Sequence, residues 1–357
     1  MTRKSHSLID ATTLLSALPA MLGFLPDHSL ILVALRSRTR VRVAMRYDLS
    51  LTPDGRPAED LLAVIEGLGQ IVHRHGGGPV VGVIVDDRHG PADPRYRRVM
   101  SLAHDSLYES GGLAQGFVVT RFEQHAPWQL IWQSGRGPTT ARWDRRNDVG
   151  TMADPRTSPT AVAEAVSTGR RILADRSEIA AMLTPLPHCE SAVCDARKQN
   201  PGRGAVGITG PADLLRVVLD AMGDPSVPDC HTMAMLEAAI TTIAVRDAAL
   251  ACAVTDMRPD AERLWRMLTR RLQGTGKASA ATLLAHLHYI GGEGAYAGVS
   301  LDCALDADPD WALAVLLDQA LRSGAQPALL WEMIDDSYQI ATDLGVPIPG
   351  ATLRAVG

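Results

Sequence analysis

The chain predicts a mixed β-sheet with flanking helices in its N-terminal half and an all-helical C-terminal half, an α+β or α/β fold. Three observations carry this. Short strand-like runs alternate with helical periodicity up to about residue 145, the pattern of a sheet with helices packed on it. Val80 to Val85 is an unbroken apolar run, as expected of a strand covered on both faces. From Ser158 onward the apolar spacing is helical almost throughout. With 357 residues, 46% hydrophobic and 21% charged, the composition is that of a folded protein with more than one core.

The elements follow in order. Residues 29–35 and 41–49 predict a hairpin, because two strand-like runs flank Arg36-Ser-Arg-Thr-Arg40. In the second run Val41, Val43 and Met45 alternate with Arg42, Ala44 and Arg46, the mark of a half-exposed strand. Thr52-Pro-Asp-Gly-Arg-Pro57 is a turn cluster ahead of a helix with Leu61, Leu62, Ile65, Leu68 and Val72 on one face. Gly76-Gly-Gly-Pro79 ends that helix. The strand at 80–85 precedes a helix near 94–110 and strands near 115–120 and 128–133. One helix is expected over 159–183, kinked at Gly169, and the Pro- and Gly-rich stretch 184–210 reads as a linker. Helices follow near 211–222, 230–254, 259–273, 278–290, 293–307, 310–323 and 327–337. The tail from Gly345 is Pro/Gly-marked and expected to be loosely held. The organisation is therefore a mixed α/β domain over 1–150, a helix plus linker over 151–210, a helical domain over 211–340 and a tail over 341–357.

Ala285, Ala297, Leu301, Ala304 and Pro309 occupy the small, large and Pro positions of a tetratricopeptide-like helical hairpin. A single hairpin is too short for a stacked solenoid, so it predicts a local packing solution.

The net charge of −5 offers no general case for nucleic-acid binding. The five cysteines (Cys189, Cys194, Cys230, Cys252, Cys303) are odd in number and suit free thiols in a reducing compartment. Arg3 and Lys4 precede an apolar run from Leu14 to Leu25. Asp10 and Pro19 interrupt that pattern, so a folded element is expected there rather than a signal peptide. No apolar stretch reaches membrane-spanning length without charge or Pro, which predicts a soluble, cytoplasmic protein.

Several separated stretches share one likeness: Leu22-Gly-Phe24 with Pro26 and Ser29-Leu30, Arg46-Tyr-Asp-Leu49, Gly169-Arg-Arg171 with Arg176-Ser-Glu178, Arg246-Asp-Ala248, and Gly291-Gly-Glu-Gly-Ala295 through Asp308-Pro309. In their order and spacing they resemble an uncharacterised actinobacterial and phage family, domain of unknown function 4192. The resemblance covers nearly the whole chain. It implies an N-terminal α/β part, a helical C-terminal part and no established activity.

Candidate chemistry centres on strand ends. Arg46 and Asp48 close the second strand, and Asp86, Asp87 and Arg88 follow the strand at 80–85. In open α/β sheets ligands collect beyond the carboxyl ends of strands. Carboxylates there suit a divalent cation, with Arg46 or Arg88 facing a phosphate. The competing reading is ordinary: Asp caps turns and Arg46 pairs with a carboxylate. The site requires both strands to run the same way, since opposed strands would hold the carboxylates at opposite ends of the sheet.

A basic stretch over 136–146 places Arg142, Trp143, Arg145 and Arg146 as nucleic-acid candidates, against a solvated loop with its Trp packed on the sheet edge. Arg246 and Asp247, on an otherwise apolar helix, read as a structural charge pair. His73, His75 and His89, and the set His188, Cys189, Cys194, Cys230 and His231, fit metal-ligand spacing poorly. Gly202-Arg-Gly-Ala-Val-Gly207 matches a dinucleotide pattern but follows no strand. Neither a metal centre nor a cofactor is assigned. The leading expectation is a non-catalytic binding or scaffolding protein acting through its helical half on an unidentified protein partner. The alternative is an enzyme or ligand-binding protein using the acidic/Arg site. A nucleic-acid accessory role ranks third, a membrane is excluded, and the oligomeric state is unassigned.

Overall fold

The structure, a computed structural model, describes residues 10–37, 40–74, 77–134, 148–188 and 210–353. The chain divides into two compact units, Met1–Arg176 and Ser177–Gly357.

The first unit opens with α1 (Ala11–Leu22). Its cap is Asp10, whose carboxylate accepts the Thr13 N–H at 2.9 Å, and it stops at Gly23, where a φ of 84° makes a left-handed cap. β1 (Ser29–Ser37) and β2 (Arg40–Asp48) form the expected hairpin. Then come α2 (Glu59–Arg74), β3 (Val80–Val85), α3 (Pro94–Ser106), β4 (Leu113–Val119), β5 (Pro127–Gln133), β6 (Val149–Thr151) and α4 (Pro159–Thr168). The short β6, absent from the expected elements, pairs antiparallel with the start of β5.

The strands make one sheet in the order β2-β1-β3-β4-β5-β6. β1 is antiparallel to both β2 and β3, so β2 and β3 run the same way although they are not neighbours. β3 and β4 are parallel, with α3 as the crossover. Strand alternation sends Leu30, Leu32, Val80 and Ile84 to a core with Leu61, Ile65 and Leu68 of α2 and Tyr96, Val99 and Met100 of α3. Ile31, Val33, Val81, Val83 and Val85 face the other way, onto Leu14, Leu15 and Leu18 of α1. Each such side chain contributes about 1.5–3 kcal/mol by leaving water, so the two-sided burial explains the unbroken apolar run. A Cβ on Gly82 would lie 2.8 Å from Met100 Sδ, and one on Gly116 3.0 Å from the same sulfur. α3 therefore rests directly on β3 and β4 at two positions where a side chain is absent.

Ser29, the first residue of β1, is in register with Asp48 and with Val85. The start of β1 and the carboxyl ends of β2, β3 and β4 thus share one edge of the sheet.

α5 (Arg176–Ala181) lies at the division between the units. The second unit contains α6 (Pro211–Gly223), α7 (Cys230–Thr241), α8 (Ile243–Ala249), α9 (Arg258–Arg271), α10 (Gly274–Ile290), α11 (Gly294–Ala307), α12 (Ala312–Arg322) and α13 (Ala328–Asp343). α10 is buried at every residue from Ala278 to Ile290, as its Ala- and Leu-rich sequence requires of a central helix. It packs on α9 and, through the turn Gly291-Gly-Glu293, on α11.

Three expectations are corrected. The helix over 159–183 is two: Gly169 takes φ 71° and donates its N–H to Ala165 O, a left-handed stop rather than a kink, and helix resumes at Arg176. The helix over 230–254 breaks at Thr242, which is extended and bonds its hydroxyl back to Ala238 O, and ends in a 3₁₀ turn over Leu250–Val254. The tail is fastened as far as Leu353, since Thr352 and Leu353 donate N–H groups to Val254 O at 2.8 and 3.0 Å. Among the described residues no helix is long and apolar enough to cross a membrane.

Candidate functional site at the carboxyl ends of the strands

Because β2 and β3 run the same way, the condition set by the sequence is met: Asp48, Asp86 and Asp87 lie at one edge. They do not form one cluster. Asp48 is exposed and holds Arg46 Nη1 at 2.6 Å, while Arg46 Nε donates to Ser29 Oγ at 2.8 Å. Arg46 therefore ties β2 to the start of β1, and the pair fits the ordinary reading of an Arg with its carboxylate.

Asp86 and Asp87 behave differently. Asp86 follows β3 with 1% exposure, and its buried carboxylate is fully engaged. Oδ1 accepts from Arg88 Nε at 2.7 Å and from the Arg88 backbone N–H at 3.2 Å; Oδ2 accepts from Arg88 Nη2 at 3.1 Å and from Tyr96 Oη at 3.0 Å. Burial alone would raise this carboxyl, but the hydrogen bonds from Arg88 and Tyr96 and the Arg88 charge outweigh it and hold it below the usual carboxylate range. The same contacts, led by burial, push the Tyr96 phenol upward, so it stays a donor. Arg88 also donates Nη2 to Leu49 O at 3.2 Å, anchoring the chain just after β2.

Asp87 is on the opposite side of the turn. Its Oδ2 accepts from Arg121 Nη2 and Nε at 2.6 and 2.9 Å, and Oδ1 is 3.2 Å from His28 Nε2. Hydrogen bonds and charge from Arg121, with a smaller contribution from His28, hold this carboxyl low. His28 precedes β1 in a left-handed conformation, φ 37°, uncommon outside Gly and Asn. Its Nε2 is also 3.8 Å from Asp86 Oδ1, and its Nδ1 is 3.5 Å from Asp27 Oδ2. One donor atom each from His28, Asp86 and Asp87 lie within 4.8 Å of one another.

The cluster is thus built from the turn before β1 and the turns after β3 and β4, with α3 supplying Tyr96. Arg46, Asp48, Asp86, Asp87 and Arg88 were legible as a set; His28, Arg121 and Tyr96 were not. The available signal for His28 is its place one residue before a buried strand, inside the stretch Pro26 to Leu30.

Residues 12–328 match the family model described as a domain of unknown function, DUF4192. The chain belongs to the DUF4192 family. No curated protein and no solved structure matches it. The DUF4192 match runs from α1 to the first residue of α13 and takes in the whole strand-end cluster. In the first unit Leu173, between the stretches Gly169–Arg171 and Arg176–Glu178, donates its N–H to Gly23 O and accepts the Leu25 N–H, both at 3.0 Å.

The other candidates separate from this edge. Arg246 pairs with its neighbour Asp247 at 2.7 Å and lies over the Trp311 ring, 5.5 Å from its centroid, so the pair links α8 to the start of α12. Arg142, Trp143, Arg145, Arg146, His75, Cys189, Cys194 and the stretch Gly202–Gly207 lie outside the described residues. His89 contacts Arg95, and His73 is exposed at the end of α2.

Proposed function

We propose that the chain is a ligand-binding protein whose site is the shared edge of β1, β2, β3 and β4, and that the ligand carries an anionic group of the phosphate class. The observation that supports this reading is the pair of guanidinium groups flanking Asp86 and Asp87. Arg88 and Arg121 each spend Nε and Nη2 on an aspartate, while among the described residues Nη1 of each has no partner. Their side chains are 45% and 63% exposed, and a guanidinium held rigidly on one side is preorganised to meet an oxyanion with the other. Thermal unfolding of the full chain should shift upward with millimolar phosphate monoesters, and Arg121→Gln should remove most of that shift. An equal shift in both proteins would sink the reading.

The helical unit supports a second reading, a docking surface for a protein partner, through the exposed side chains of Ile243 and Leu316. Leu316→Glu should then weaken a partner complex without lowering thermal stability. The thiols of Cys252, which is buried, and Cys303 support a reducing compartment such as the cytoplasm.

A further inference from the structure

Charge is divided unevenly along the chain. The first unit has 22 Lys and Arg against 18 Asp and Glu, a net of +4, whereas the second has 13 against 22, a net of −9. At the strand-end cluster the arginines are matched, since Arg46, Arg88 and Arg121 each hold an aspartate. The opposite edge of the sheet is different. We infer that this edge, the far end of the β1–β2 hairpin together with the end of α2, docks the phosphodiester backbone of a nucleic-acid duplex without reading its sequence. The inference goes beyond the ligand site above and does not rest on it.

Topology brings the arginines together. β1 leaves the strand-end edge at Ser29 and reaches the opposite one at Ser37; β2 starts there at Arg40, and α2 returns there at Arg74. The segment after α2 is fixed against the end of β1. Leu35 donates its N–H to Pro79 O at 3.0 Å, and a Cβ on Gly78 would lie 2.8 Å from Leu35 O. Arg36, Arg40, Arg42 and Arg74 therefore share one edge. No acidic residue occurs from His28 to Tyr47 or from Gly67 to Val85. Asp105 and Glu109, which precede β4 at the same edge, lie beyond β3.

The register sets two of these residues apart. Ala34 pairs with Val43, Leu35 with Val41 and Ser37 with Arg40, so Arg42 on β2 and Arg36 on β1 are each the extra residue of a bulge. The first bulge sends Val43 to the core with α2 and α3 and Val41 to the core with α1, and leaves Arg42 exposed between them. Arg42 has no carboxylate partner among the described residues. Bulges and charges on an outermost strand keep other strands from pairing, and β2 is outermost. That role accounts for Arg40 and Arg42. It does not call for Arg36, on a strand with neighbours on both sides, or for Arg74, on a helix.

The composition of the edge selects the partner. Guanidinium groups meet phosphate oxygens with paired N–H donors. Residues 36–42 and 73–79 contain no Phe, Tyr or Trp to stack an unpaired base. Val41 packs inward, so no large apolar side chain is offered to a lipid surface. Two inter-strand spacings separate β2 from β3, so the row is on the order of 10 Å wide, the axial length of about six duplex phosphates. Charge and spacing are what a duplex backbone answers, and neither carries base readout.

The test is fluorescence anisotropy of a labelled DNA duplex of two helical turns titrated with the full chain. Binding should be micromolar near 50 mM salt and fall roughly 100-fold by 200 mM, the dependence expected of about four phosphate contacts. Two unrelated sequences should bind within ~3-fold of each other. Arg36→Gln/Arg42→Gln should weaken binding at least ~10-fold at low salt and reduce the log–log salt slope by about 2. Arg42→Gln alone changes an exposed, unpaired side chain, so it should fold as wild type in thermal unfolding and reduce the slope by about 1. Arg97→Gln/Arg216→Gln removes as much charge from exposed positions on α3 and α6 and should bind as wild type. An equal loss in that control, an unchanged slope in Arg42→Gln, or no binding at low salt overturns the inference. Tighter binding to the single strand, or to phosphatidylcholine vesicles containing one-third phosphatidylserine, overturns the duplex as the partner.

Discussion

His286 should make the helical unit sensitive to mild acid. The side chain is 1% exposed in α10, and neither ring nitrogen has a hydrogen-bond partner among the described residues. Burial, with a smaller contribution from the Arg258 charge, pushes its pKa from 6.5 down to about 4. The unfolded chain protonates this ring near 6.5 while the folded chain resists until about 4, so the unfolded state binds more protons between those values. Stability is full above the upper limit, falls as the pH drops through the window and levels off below it. At about 1.36 kcal/mol per pH unit the whole window is worth about 3 kcal/mol at most. His286→Leu keeps an apolar side chain of similar size and has no proton to take up. Hydrogen exchange of the α10 amides in graded urea, at pH 7 and near pH 4.5, reads the stability of this unit. Wild type should lose about 2–3 kcal/mol more than the variant on acidification. Asp224 and Asp229, held low by hydrogen bonds from Ser226 and Thr232, titrate alike in both and cancel in the comparison. If both proteins lose the same stability, the desolvation argument for His286 is wrong.

Other substitutions probe packing and the strand-end network. A Cβ on Gly69 would lie 2.5 Å from Ser106 O, whereas Gly67, in the same helix, has open space around it. Gly69→Ala should therefore lower the first unit's stability by about 1–3 kcal/mol, and Gly67→Ala should raise it by about 0.5–1 kcal/mol, in thermal or denaturant unfolding. Gly291→Ala would drive a Cβ to 2.5 Å from Arg258 Nη2, a guanidinium already fixed by Ala253 O, Leu287 O and Glu293. It should cost about 1–3 kcal/mol in the exchange assay on α10 and α11. Tyr96→Phe removes a donor to buried Asp86 and should cost about 1.5–3 kcal/mol at pH 7. Asp86 contributes stability above its unfolded pKa and loses it as pH falls from there through its depressed folded pKa, so in the variant, whose folded pKa is less depressed, the acid loss should be smaller and end at a higher pH.

Local pattern made much of the fold legible. The run Val80 to Val85 announced a doubly covered strand because both faces of β3 meet apolar helices. The helices of the second unit were legible because Ala- and Leu-rich segments keep a helical period between Pro and Gly stops. What local pattern lacks is direction. Whether Asp48 and Asp86 share an edge depends on β1 lying between β2 and β3, a pairing between distant segments that no window of sequence contains. The same holds for the site. Asp86 and Arg88 were visible as neighbours, but His28 and Arg121 join them only through the sheet. Gly169 shows a different limit: a glycine within a helical pattern either bends or ends the helix, and only its left-handed φ decides.

The position of β1 also governs how the first unit can assemble. The hairpins β1–β2 and β4–β5 close over short loops, but the register partners Ile31 and Val83 are roughly fifty residues apart, so this pairing bears the larger loop-closure entropy. Until it forms, β1 and β3 each present an apolar edge with unpaired N–H and C=O groups. Another copy of the chain offers the same edges, and meeting one is a second-order event whereas closing the sheet is first-order. Refolding yield should thus fall with protein concentration, and the charged turns at His28, Asp86 and Arg121 would be drawn together only in the chains that complete the sheet.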